Sequence, residues 1–206
     1  IMKFLICSLF LAVGSISYSQ KFVKPIEECD SSKLAIWYDK GGDLNERKEM
    51  YTKEDGEFSY NILSFAVGNE CMECIQYLLN KKEEFEDFDL VISEAFVFSL
   101  AFKNDEITNL LYSYKPIAKG VCDACHSNNA LMVSAVYGNE DWYFKLKPSS
   151  DLYYVNANGA TLLHLAAGGP SKKILHDVLQ IPEMDINQED EFQETPLDHA
   201  AANDEN

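Results

Sequence analysis

Apolar residues recur along the chain at the spacing of helices with one buried face. Cys74 and Ile75 are followed by Leu78 and Leu79, Ile107 by Leu110 and Leu111, and Ile174 and Leu175 by Val178 and Leu179. The i, i+3, i+4 interval draws one stripe along each helix. Ahead of each stripe lies a shorter apolar segment, and a Gly or polar turn separates the two, as in NILSFAVGNECMECIQYLL from Asn61. The pattern predicts pairs of short helices. One pair has too little apolar surface to close a core, so a neighbouring pair must complete it and stability is shared between adjacent units.

The pairs recur. Residues 158–168 read NGATLLHLAAG, and residues 185–197 read DINQEDEFQETPL, followed by Asp198-His199-Ala200-Ala201. Thr161 and Thr195 occupy the same place 34 residues apart. Working backward, Asn129 begins NALMVSAVYGNEDW and Glu94 begins EAFVFSLAFKNDEITNLL. The starts at 61, 94, 129, 161 and 195 are separated by 33, 35, 32 and 34 residues. Thr161 and Thr195 stand where a hydroxyl can cap a helix start, and Pro196 follows at the first helical position, where its missing donor does no harm.

These segments resemble the ankyrin repeat, a unit of about 33 residues with a D-V-N hairpin and a T-P-L-H helix start. The resemblance runs from about residue 30 to residue 206. It is specific in the last two units and degenerate in the first three. It implies an all-α fold, an ankyrin-repeat solenoid of stacked helix-turn-helix units joined by hairpin loops. WYDKGGDLN at 37–45 resembles the end of a further unit, so residues 20–60 are expected to form an N-terminal cap with an inserted loop within 46–60. Residues 61–206 then hold the repeats. The unit at Thr195 stops before a second helix, which leaves a half-repeat cap or a longer natural chain. The resemblance also gives His164 a structural role, bonding neighbouring hairpins.

The N-terminus reads as a secretory leader. Lys3 precedes the apolar run Phe4–Ile16, and Ser17-Tyr18-Ser19 offers small residues for a peptidase, giving a signal peptide over 1–19. The run is shorter than the roughly 20 residues of a membrane span. No other stretch is long and apolar enough to cross a bilayer. The expectation is an exported chain, periplasmic or secreted. Formal net charge is −17, and removing Lys3 leaves 16 basic against 34 acidic residues, or −18. So acidic a surface repels nucleic acid and suits a basic protein partner.

Export to an oxidising compartment makes Cys29, Cys71, Cys122 and Cys125 disulfide candidates, with the pairing open. Cys74 reads as a small buried apolar residue. Cys122-Asp123-Ala124-Cys125-His126 matches the c-type haem attachment sequence, an alternative reading of the chain as a redox-active or haem protein. In the repeat register this stretch is a hairpin loop, which supplies no apolar haem pocket. A zinc site at His126 would need two further ligands. No P-loop, G-x-G-x-x-G or placed nucleophile and base is present. The sequence therefore predicts no catalytic residue, no cofactor and no metal.

What remains is a surface. In the ankyrin family the exposed variable positions flank the hairpin and follow the Ala-Ala pair. Carried over, they are Glu57, Phe58 and Tyr60 in the first unit. In the third they are Cys125, His126, Asn128, Val136 and Tyr137, and in the last Glu191, Phe192 and Glu194. Aromatics beside acids suit a protein-binding face, because aromatic side chains dominate binding energy. The expected function is a protein–protein interaction module, inhibitory, immunity-like or scaffolding.

Overall fold

The computed structural model describes residues 21–52, 56–117, 121–122 and 127–203. The expected leader over 1–19 lies outside them. The chain is mostly helical and divides near residue 117 into two compact units.

In the first unit, six helices form three pairs: α1 (Val23–Glu27) with α2 (Ser31–Asp39), α3 (Ile62–Gly68) with α4 (Met72–Asn80), and α5 (Phe88–Ser99) with α6 (Asp105–Ser113). α3 packs on both α1 and α5, and α2 packs on α4. This central position buries every residue of α3 from Ile62 to Val67. Four of these helices have local start signals. The side chains of Asp30, Asn61, Asp87 and Asn104 accept the amides of Lys33, Ser64, Leu90 and Ile107 at 3.0, 2.7, 3.0 and 3.3 Å. Each inner helix ends near a residue in the left-handed region: Cys29, Glu70 and Lys103, with φ of 47°, 50° and 54°. A non-glycine residue there is strained by about 1–2 kcal/mol, which the packing of the paired helices offsets.

Two departures from the sequence expectation concern this unit. Within the segment expected as an inserted loop, 46–60, β1 (Arg47–Thr52) pairs antiparallel with β2 (Gly56–Asn61), in the register Arg47 to Asn61 through Thr52 to Gly56. β2 leads straight into α3, with Asn61 serving both as last strand residue and as helix cap. The repeat interval puts a start at Glu94, yet α5 starts at Phe88. Asp87 supplies an earlier cap, and Glu94 sits in mid-helix, 4 % exposed. Its carboxylate takes two bonds from the Arg47 guanidinium, 2.7 and 3.1 Å, and one from Asn61 Nδ2, 3.0 Å.

In the second unit, a short ladder pairs β3 (Val121–Cys122) with β4 (Asn128–Asn129). α7 (Ala130–Val136) pairs with α8 (Glu140–Leu146), and α9 (Leu162–Ala167) with α10 (Lys172–Val178). α9 lies between α7 and α11 (Pro196–Asn203). The approach of α9 to α7 requires glycine at 169, because a Cβ there would strike the Ala135 carbonyl oxygen. Between the second helices of the pairs, the buried Tyr143 donates through its Oη, and Lys147 through its Nζ, to Asp177 of α10, at 2.8 and 2.5 Å. Burial, which alone would raise the Asp177 pKa, is outweighed by these two donors, so the carboxyl lies below its ordinary range.

Candidate functional site

Each turn between helix pairs of the second unit is folded by one side chain. Asn156 Oδ1 accepts from the amides of Asn158 and Ala160 at 3.0 and 2.9 Å. Thirty-four residues on, Asp190 Oδ1 accepts from the amides of Phe192 and Glu194 at 2.9 and 3.0 Å. The short polar side chain replaces backbone partners that a tight turn cannot supply. The turns are then tied together. Asn156 Nδ2 donates to Asn128 Oδ1, 2.8 Å, and the Glu191 amide donates to the Asn158 carbonyl, 3.0 Å.

His164 joins the second link from inside. Its Nδ1 lies 3.1 Å from the Thr161 amide and 2.8 Å from Thr161 Oγ1, and its Nε2 lies 3.2 Å from the Glu194 carbonyl. An amide can only donate, so Nδ1 accepts and Nε2 carries the proton, which defines a neutral tautomer. Burial lowers the His164 pKa, the neighbouring His199 lowers it further, and the Glu194 carbonyl opposes both without prevailing. The His164 and His199 rings meet edge to face, 5.0 Å apart. On its other side His199 Nε2 lies 3.0 Å from Asp190 Oδ2 and 3.7 Å from Glu194 Oε2. Asp190 is a carboxylate. Burial would raise its pKa, but the Glu194 amide, His199 and the Phe192 amide together lower it. At the start of α11, Asp198 stands where α9 has His164. Its Oδ2 accepts from Thr195 Oγ1 and the Thr195 amide, at 2.6 and 2.8 Å.

The positions expected to face a partner divide sharply. Phe192 is 56 % exposed, Glu191 is exposed and Glu194 is half-exposed, all in the turn held by Asp190. Tyr137 is half-buried at the C-cap of α7, and Val136 beside it is buried. Tyr60 and Asn128 offer almost no surface, at 6 % and 3 % exposure. Tyr60 packs against Phe98 with ring centroids 4.9 Å apart and meets Phe58 edge to face at 5.6 Å, which leaves Phe58 half-buried. Asn128 is committed to Asn156. In both cases the residue that family registration places on a finger is drawn in by a partner on the next unit or element. Glu57 is on β2 opposite Tyr51. Cys125 and His126 lie outside the described residues.

Of the cysteine candidates, Cys29 and Cys71 are joined by a disulfide with Cα atoms 5.2 Å apart. It links the turn after α1 to the cap of α4. Cys122 pairs by its backbone with Asn128. Cys74 is a buried free thiol whose pKa burial pushes up to about 11, with Glu73 and Asp30 adding to the shift. So high a value keeps it unreactive.

Sequence reasoning missed two clusters. Arg47, Asn61 and Glu94 come together across 47 residues of chain, and Asp190, Glu194 and His199 come together through the turn. The second could have been sought from the acidic run at 189–194 followed by a histidine one helix turn beyond Thr195, whereas the first has no local signal. Among the described residues, Asp190, Glu194 and His199 form the group able to hold a metal ion. No known family profile matches the sequence, and no curated protein is significantly similar to it.

Proposed function

We propose that the chain is an exported, ankyrin-like interaction module that binds a protein partner of basic character through its turns. The observation that carries this reading is the turn at 190–194. It displays Phe192 more than half exposed, with Glu191 and Glu194 nearby, on a backbone fixed by five hydrogen bonds at Asp190 and Asn158. A large apolar side chain on a rigid support loses little entropy on binding, and a surrounding acidic rim favours a cationic partner. Tyr153, 54 % exposed, is held in similar fashion by a bond from its hydroxyl to the Pro182 carbonyl, 2.8 Å.

Ankyrin-like character is supported by the capped inner helices set side by side in each unit, and by His164 bridging Thr161 to the carbonyl of the next turn. Export is supported by the leader pattern and by the Cys29–Cys71 disulfide, a bond that persists in oxidising compartments.

The test is site-specific photo-crosslinking in the native envelope or secreted fraction. A crosslinker at 192 should give one discrete adduct that weakens with salt, and a crosslinker at Lys24, exposed on α1 of the other unit, should not. Failure at 192, or the same adducts from both positions, overturns the proposal.

A further inference from the structure

We propose that Asp190, Glu194 and His199 form a divalent-cation site of the zinc type in the last turn of the second unit. Their ligand atoms lie within 4.8 Å of one another: His199 Nε2 is 3.0 Å from Asp190 Oδ2 and 3.7 Å from Glu194 Oε2. A tetrahedral zinc ion with bonds of about 2.0–2.1 Å sets its ligands roughly 3.3–3.4 Å apart. The two separations to His199 bracket that figure and the third is within 4.8 Å, so the ion needs the His199–Asp190 pair to open slightly and Glu194 to turn inward.

Three features distinguish this group from a surface cluster of acids. First, two of the ligands are built in. The Asp190 and His199 side chains are 1 % and 3 % exposed, and the Glu194 side chain, 42 % exposed, leaves an entry path. Second, the ligands have an outer shell. Asp190 Oδ1 is occupied by the amides of Phe192 and Glu194, which aims Oδ2 at the imidazole, and the His164 ring packs edge to face with the His199 ring. Bonds of this kind orient metal ligands and fix their basicity. Third, the imidazole has one Nε2 proton at most for two carboxylates. It reaches Asp190, while 3.7 Å to Glu194 is beyond a hydrogen bond. A dication in place of that proton would answer both carboxylates at once. One nitrogen and two oxygen donors suit zinc better than the all-oxygen preference of magnesium or calcium, and leave a coordination position for water. Binding there would clamp the turn that displays Phe192 to α11.

Zinc titration of the full chain against a chromophoric chelator tests the site, with Cys122→Ser/Cys125→Ser as background to remove the other zinc-prone sequence. The expected result is one equivalent bound in both proteins. Binding should be lost in H199Q and at least tenfold weaker in E194Q, and zinc should raise the Tm of the background protein but not of H199Q. E194Q keeps the His199–Asp190 pair, so its fold, checked by circular dichroism, carries the test if H199Q fails to fold. Absence of saturable binding, loss of binding in the Cys122→Ser/Cys125→Ser protein, or unchanged affinity in E194Q would overturn the assignment.

Discussion

The two units solve one problem by different means. Each must hold adjacent helix pairs together where no single pair has a core of its own. The first unit uses a covalent link, an ion pair with a buried carboxylate, and apolar rings: Cys29–Cys71, Arg47–Glu94, and the contacts of Phe22 with Trp37 and Phe65 and of Tyr60 with Phe98. The second unit uses polar side chains: Asn156 bonds the Asn128 side chain, His164 reaches the Glu194 carbonyl of the next turn, and Asp190 bonds its own turn and His199. The difference follows from the connections. The first unit interposes a hairpin of strands, which needs side-chain cover and a counter-charge. The second has tight turns close enough to bond directly. A polar network of this kind specifies geometry, because a buried donor or acceptor left unmet is costly, whereas rings tolerate small displacements.

Reducing the Cys29–Cys71 bond should have the largest effect. It closes a loop of 42 residues, which in the chain-entropy model contributes about 4 kcal/mol. Hydrogen exchange before and after reduction should show protection lost in α1, α2 and α4 and kept in α7 to α10. Equal loss in both units would erase the contrast between them. His164→Ala strikes the second unit in the same way. It removes bonds to Thr161 and Glu194 and opens a cavity at a fully buried site, with an expected loss of about 3 kcal/mol in urea unfolding.

Arg47→Met should cost about 2 kcal/mol, because it strands the buried Glu94 carboxylate, while the half-exposure of the arginine keeps the figure below that of a fully buried pair. Adding Glu94→Leu to that variant should recover part of the loss, and failure to do so would show that the ion pair is not what seats the hairpin.

Acid should act on the second unit in particular. The native pKa of His164 is lowered, so below about pH 6.5 the unfolded state takes up a proton that the native state resists. Stability contributed by the neutral imidazole is therefore present above that pH. It is lost as pH falls toward the depressed native value, by at most about 1.4 kcal/mol per pH unit. His164→Gln should flatten this limb of the urea midpoint against pH, and an unaltered limb would assign it elsewhere. Asp190 and Asp177 titrate further into acid. Their stability is present above the ordinary aspartate pKa and lost as pH falls through their lowered native values. The smallest effect belongs to Phe192→Ala, expected to change stability by no more than about 0.5 kcal/mol while removing partner capture.

What could be read from the chain without coordinates follows the reach of the forces involved. Helices at 72–80, 105–113 and 172–178 are legible because their stripes are local, and the cap at Thr161 acts over three residues. The early start of α5 is set locally by the Asp87 cap, six to seven residues before the Glu94 position that the repeat interval predicts. Strands at 47–61 are only half legible: GEFSYN alternates polar and aromatic residues, but its partner RKEMYT does not, and the pairing is sustained by contacts with α3 and α5. Tyr60 and Asn128 were placed on the surface by registration with a family and are buried, since exposure depends on what lies opposite.

By itself the sequence determined the helical character, the apolar stripes, the cap positions and the acidic charge, all of which arise from residues within a turn or two of one another or from a simple sum. Tertiary structure alone decided which two of several cysteines meet, that Glu94 faces Arg47, and that His199 finds Asp190 and Glu194 and not its neighbour Asp198. The first two depend on distances between segments far apart in sequence, and the third on how the turn at 190–194 packs against α11. Such distances are set by how helix pairs pack, and no local propensity encodes them.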